Sequence, residues 1–69
     1  MKNMEIEEIK MYIDVEVLVI TSDGFRNFGI IQEVTDTTTR MKSPLGRVSI
    51  VNVDITLIRE KPTIWKRGN

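Results

Sequence analysis

The sequence predicts an all-β domain: a small five-stranded, strongly bent barrel preceded by a short N-terminal α-helix. Three observations carry this. From residue 14 onward β-branched and apolar runs dominate, each ended by a turn signal. The longest run, FRNFGIIQEV, has Gly29 near its centre, where a strand bends or bulges. The last two runs, in VSIVNVDITLIRE, are parted only by Asn52, Val53 and Asp54, enough for one tight turn. At 69 residues the chain makes a single domain over 1–69.

Asn3 reads as a helix N-cap, and Glu5, Glu7 and Glu8 follow where the positive end of a helix dipole favours acids. Ile6, Ile9 and Ile13 recur at i, i+3 and i+7, one apolar stripe on a helix over about 4–13. So short a helix is marginal alone and must dock, capping an open end of the barrel. The strands occupy about 15–59. Residues 15–21, VEVLVIT, form the first, and the unbroken apolar run from Val17 to Ile20 asks for burial on both faces. Asp23-Gly24 predicts a type I′ hairpin turn. Residues 25–34 form the second strand, bent at Gly29, and 37–42 the third, after a turn opened by Asp36. Ser43-Pro44-Leu45-Gly46 is a turn with proline at its preset position. Residues 47–51 and 55–59 complete the set. Lys61-Pro62 ends the ordered part, and the tail over 60–69 is polar around Ile64 and Trp65.

Such a layout closes into a small barrel, and SH3-like, Tudor-like and Sm-like barrels all fit it. A domain this small needs further support, from a tightly closed fold, a partner subunit or both. Cysteine and histidine are absent, which removes disulfides, thiolate chemistry and nearly every zinc site. There is no histidine base, no GxGxxG or GxxxxGK[ST] phosphate loop and no HExxH helix, so neither an enzyme nor a cofactor is expected. A carboxylate-only enzyme would need Asp14, Asp23, Asp36 and Asp54 to converge. No apolar run approaches the roughly 20 residues of a membrane span, and residues 1–12 lack the apolar stretch of a signal peptide, so a cytoplasmic protein is expected.

Charge is balanced overall but unevenly placed. Residues 1–23 hold six acids against two lysines, whereas 37–69 hold seven bases against two acids. Such a dipolar chain has either solubilising surface charge or a basic face for an anionic partner or head-to-tail docking of copies.

The stretch VLVITSDGFRNFGIIQEV resembles the first motif of the Sm/LSm family: an apolar strand, a D-G or N-G turn, a second glycine five residues later, and apolar positions two and five beyond it. Gly24, Gly29, Ile31 and Val34 hold those places. The turn from Gly24 to Gly29 is similar to that of the Hfq branch of bacterial RNA chaperones, and IVNVDITLI is similar in spacing to the second Sm motif. The resemblance covers about residues 4–60. It implies a ring of six or seven copies, each pairing its fourth strand with the fifth strand of the next, and pore-side loops that bind single-stranded RNA.

Carried over by position, the RNA pocket falls on Thr35 and Thr39, where the family has aspartate and asparagine, and on Thr37, where archaeal members often carry histidine. Val51 stands at the pocket arginine and Asn52 at the following glycine. The implied RNA-binding residues are therefore Thr35, Thr37, Thr39 and Asn52, through hydrogen bonds to base edges, and Arg40 and Lys42, through phosphates. Without a stacking plane there, the base contribution of about 1–3 kcal/mol per base is missing. The threonines read equally as a β-branched strand with a solvated face. Arg40, Lys42 and Arg47 read as solvated charge or as phosphate steering. Trp65 with Lys66 and Arg67 is either a stacking tail or a residue packed on its own barrel or a neighbour. The alternative function is a protein-interaction module, a Tudor- or SH3-like barrel or an Sm-like ring without RNA binding.

Overall fold

A computed structural model describes residues 4–60. It contains α1 (Ile6–Lys10), then β1 (Glu16–Thr21), β2 (Arg26–Val34), β3 (Thr38–Ser43), β4 (Gly46–Val51), a 3-10 turn (Asn52–Asp54) and β5 (Ile55–Glu60). The five strands form one antiparallel sheet in the order β4-β3-β2-β1-β5. The expected all-β architecture is thus present, with three differences of detail.

The first difference concerns closure. β4 and β5 do not pair, so the sheet is open, although strongly curved. Laid flat, this order would hold its end strands about 19 Å apart, four steps of about 4.8 Å. Yet the end of β4 at Val51 and the start of β5 at Ile55 are joined by the three residues of the 3-10 turn, a link that spans at most about 14 Å. The sheet must curl until its ends approach.

Gly29 supplies the corner. The first half of β2 pairs with β1, from Ile20↔Arg26 to Glu16↔Ile30, and the second half pairs with β3, from Ile30↔Lys42 to Val34↔Thr39. At the hand-over the backbones come so close that a Cβ on Gly29 would collide with the Lys42 carbonyl oxygen and lie 3.0 Å from Ser43 Cα. Two bulges add curvature: Gln32 is the extra residue between Ile31↔Met41 and Glu33↔Arg40, and Thr56 the extra one between Ile20↔Leu57 and Thr21↔Ile55. The Thr56 hydroxyl is satisfied by Ile20 O at 3.0 Å.

The second difference is the helix, which is shorter than 4–13. Its N-cap is Glu5, whose N–H is accepted by the Glu8 carboxylate at 3.0 Å; Asn3, the expected cap, lies outside the described residues. It ends at Lys10 because Ile13 is drawn into a parallel bridge with Ile31, and Asp14, at φ 70°, donates its N–H to Ile31 O at 2.7 Å. Aspartate is among the few side chains that visit this left-handed region readily.

The core is Ile9, Val17, Val19, Ile31, Met41, Ile50, Ile55 and Ile58. Ile9 docks the helix, and its burial contributes about 1.5–3 kcal/mol, which a helix of one turn cannot supply from propensity. On β1 only Val17 and Val19 are fully buried; Leu18 and Ile20 lie on the outer face and are half-buried.

The β1–β2 turn also differs from the type I′ expectation. Gly24 alone has positive φ, +84°, and its N–H is accepted by Thr21 O at 2.8 Å. This is a three-residue loop with glycine at the left-handed position, the next commonest hairpin connection after the two-residue type I′ and II′ turns.

Candidate functional site

The loop between β2 and β3 is built by threonine. Thr35 Oγ1 accepts the N–H of Thr38 at 3.0 Å and of Thr37 at 3.4 Å, while Thr35 N–H is accepted by Thr38 O at 2.8 Å. Short hydroxyl side chains that cap their own turn explain the polar run here. Asn52, first residue of the 3-10 turn, crosses to this loop: its N–H is accepted by Thr37 O at 2.8 Å and its Nδ2 by Thr35 O at 2.8 Å. Thr39 Oγ1 in turn donates to Asn52 Oδ1 at 2.6 Å. Thr35, Thr37, Thr39 and Asn52 therefore come together at one end of the sheet.

They do not share one surface. Thr39 (0% exposed) and Asn52 (4%) are buried and hydrogen-bonded to each other, whereas Thr35 and Thr37 are exposed on the loop. Arg40 and Lys42 point the other way, because alternate residues of β3 face opposite sides: Thr39 and Met41 inward, Arg40 and Lys42 outward. The six expected residues thus divide into a buried brace, a threonine rim and an outer basic strip.

The strip extends onto β4. Lys42 lies directly opposite Arg47, and Arg40 opposite Ser49. Arg40 has a loose partner in Glu33, at 3.6 Å. Neither Lys42 nor Arg47 makes an ion pair with a described carboxylate. Arg40, Arg47, Ser49 and the bulge residue Gln32 line a shallow hollow of about 400 Å³.

No protein-family model, curated protein or solved structure matches this chain. Its chemistry rests on the side chains alone. Among the described residues no group of three or more acids could hold a metal. Asp23 and Asp54 border one hollow near the β1–β2 turn, which Asp14 and Asp36 do not line. Asp23 serves the turn: it accepts the Thr21 hydroxyl at 2.5 Å and the Phe25 N–H at 3.2 Å, and these bonds, the Thr21 one first, hold its carboxyl below the ordinary aspartate value. No described helix is long and apolar enough to cross a membrane.

Sequence reasoning missed a second feature. Phe25 and Leu45, 63% and 99% exposed, stand at the tips of the two hairpins and, with Phe28 and Val48, line a groove of about 450 Å³. Arg26 and Arg47 line the same groove, and no carboxylate does. The available signal was an apolar residue inside a turn, directly after Asp23-Gly24 and between Pro44 and Gly46, where polar residues are usual. Trp65, the other aromatic candidate, lies outside the described residues.

Proposed function

We propose that this chain is an Sm-like subunit that assembles into a ring of six or seven copies and binds single-stranded RNA through phosphates, with an altered base pocket. The observation that carries the RNA reading is the Lys42–Arg47 pair. Like charges directly opposite on a ladder destabilise a sheet, by a few tenths to about 1 kcal/mol, unless an anion lies between them. A polyanion offers that anion repeatedly along Arg40, Lys42 and Arg47, and the exposed hydroxyl of Thr37 offers a hydrogen bond to a base, whereas that of Thr35 is spent within its own turn, donating to Thr38 O at 3.2 Å and accepting the N–H groups of Thr37 and Thr38. Thr39 and Asn52 contribute by holding that loop rather than by touching RNA.

The ring reading is supported by the two open edges. β4 and β5 stand at opposite ends of the sheet, and pairing β4 of one copy with β5 of the next removes both edges in every subunit. It also covers exposed Val51 and Leu57. Fluorescence anisotropy with labelled oligo-U and oligo-A at 50 and 200 mM salt tests the function. Tighter binding than to a polyphosphate of equal charge is expected; equal binding overturns the RNA reading.

A second reading, a protein-interaction module, is favoured by the Phe25–Leu45 groove. Its arginine rim suits an acidic peptide with an apolar anchor. It predicts indifference to RNA in the same titration.

A further inference from the structure

β4 ends the sheet on one side, and no described strand pairs with its outer edge. The ladder to β3 alternates from Ser43↔Gly46 through Met41↔Val48 and Thr39↔Ile50 to Asn52, whose N–H is accepted by Thr37 O. Gly46, Val48 and Ile50 thus spend their main-chain groups on β3, and Arg47, Ser49 and Val51 point theirs the other way. Such a row is a template for one more strand. Two hollows lie along it. The Phe25–Leu45 groove takes in Gly46 to Val48, and a second hollow of about 500 Å³ takes in Val48 to Val51 with Asp23 and Asp54. Phe25, Asn27 and Val48 line both, and no residue of β3 before Ser43 lines either. The two form one trough between β4 and the β1–β2 hairpin. Its ends carry opposite charge: Arg26 and Arg47 line one without an acid, and Asp23 and Asp54 line the other without a base.

We propose that this trough binds an extended peptide of a partner protein, added antiparallel to β4, with a basic residue opposite Val51 and an acidic residue opposite Arg47. This rests on the protein-interaction reading and gives it a binding mode, strand addition to an open sheet edge. Arg47 and Val51 lie about 13 Å apart along β4, at about 3.3 Å per residue. The peptide therefore carries its base and acid at i and i+4, on one face. The residues opposite Ile50 and Val48 turn to the other face, toward half-buried Val48 and the exposed Phe25 ring, and are apolar. Antiparallel addition continues the sheet and fixes the order: the base comes first, at the acidic end. A polyanion suits only the arginine end, because Asp23 and Asp54 repel it at the other. A neighbouring copy in a ring needs the same edge, so peptide and ring exclude each other.

The test uses a labelled peptide with Lys-Val-Thr-Val-Glu at its centre and Gly-Ser flanks, beside the same peptide with its Lys and Glu exchanged. Anisotropy at low salt should show the exchanged peptide binding about tenfold more weakly, because both end pairs become like-charged. Ser49→Pro removes an outward N–H and leaves the β3 ladder intact, so it should weaken the first peptide about tenfold with an unchanged circular dichroism spectrum. In the peptide-bound protein, hydrogen exchange should show the Ser49 and Val51 amides protected. Equal binding of the two peptides, or no binding of either, overturns the proposal. Charge-selective binding that leaves those amides unprotected keeps the interaction reading and overturns strand addition. Light scattering of the same samples accounts for the ring: peptide bound to single copies agrees with one occupied edge, and peptide bound to an intact ring of six or seven copies overturns the proposal.

Discussion

Thr39 Oγ1 lies 2.6 Å from Asn52 Oδ1, and both residues are buried, joining β3 to the turn that leads into β5. The bond stands between two positions that the Sm resemblance assigns to RNA. Its role is to fasten the 3-10 turn under the threonine loop, with Asn52 Nδ2 reaching on to Thr35 O. Thr39→Val keeps the shape and strands the Asn52 acceptor, so it should destabilise by about 1–3 kcal/mol. Asn52→Leu should cost at least as much, because the Thr35 carbonyl loses its partner too. The double variant should cost less than the sum, since it leaves neither end of the pair stranded. Urea denaturation of the three variants measures this; strict additivity would mean that the two residues act separately.

Gly29 and Gly24 should fail for different reasons. Gly24→Ala meets no atom within 4 Å, and its cost is the left-handed backbone alone, about 1–2 kcal/mol. Gly29→Ala has no room: the new methyl strikes the Lys42 carbonyl, and the β2–β3 ladder must part. Its cost should reach or exceed the upper end of the usual overpacking range of about 1–3 kcal/mol. Thermal melts of both variants rank them. A Gly29→Ala protein as stable as Gly24→Ala would mean that the corner yields easily.

The bend at Gly29 was legible because a glycine inside a strand has few other uses, and the five strands were legible because each apolar run ended at a turn. Closure was not. Whether a curled sheet seals depends on hydrogen bonds between its first and last strands, for which the sequence carries no marker. The helix was over-extended because Ile13 continues the helical stripe while also suiting a bridge to Ile31, and that tertiary bond won. The candidate site was half legible. The Sm resemblance grouped Thr35, Thr37, Thr39 and Asn52, but strand alternation, applied from buried Met41, already puts Thr39 inside and Arg40 and Lys42 outside. The Phe25–Leu45 groove joins two hairpin tips distant in sequence, and no local pattern announces such a meeting.

Asp23 provides a pH-dependent reporter of the first hairpin. Its folded-state pKa is lowered, chiefly by the Thr21 hydroxyl and then by the Phe25 N–H. For a carboxylate with a lowered pKa, the stabilisation is complete above the unfolded value of about 3.9 and disappears as pH falls through the folded value. NMR titration should place the Asp23 midpoint below about 3.9, with protection of the Phe25 amide falling in the same window. Asp23→Ala should remove the acid-side change at Phe25. A midpoint at or above the ordinary value would mean that the turn does not use the charge.

Lys42 and Arg47 should show opposite effects on stability and on binding. In the free protein Lys42→Gln relieves a like-charge pair across the ladder and should raise stability by a few tenths to about 1 kcal/mol. With RNA the same change removes one phosphate contact, and the slope of log affinity against log salt should fall in magnitude by about 0.7 for a single strand. Between 50 and 200 mM salt that is about a 2.6-fold smaller loss of affinity per contact. Arg47→Gln should match it, and the pair together should change the slope by about 1.4. Asp36→Asn, a change of the same size at an exposed loop position, should leave that slope alone. Anisotropy titrations at four salt concentrations, beside urea melts, measure both effects on the same samples. A residue kept only for solubility has no reason to sit where it weakens its own sheet, so a gain in stability with an unchanged slope would overturn the phosphate role of this strip.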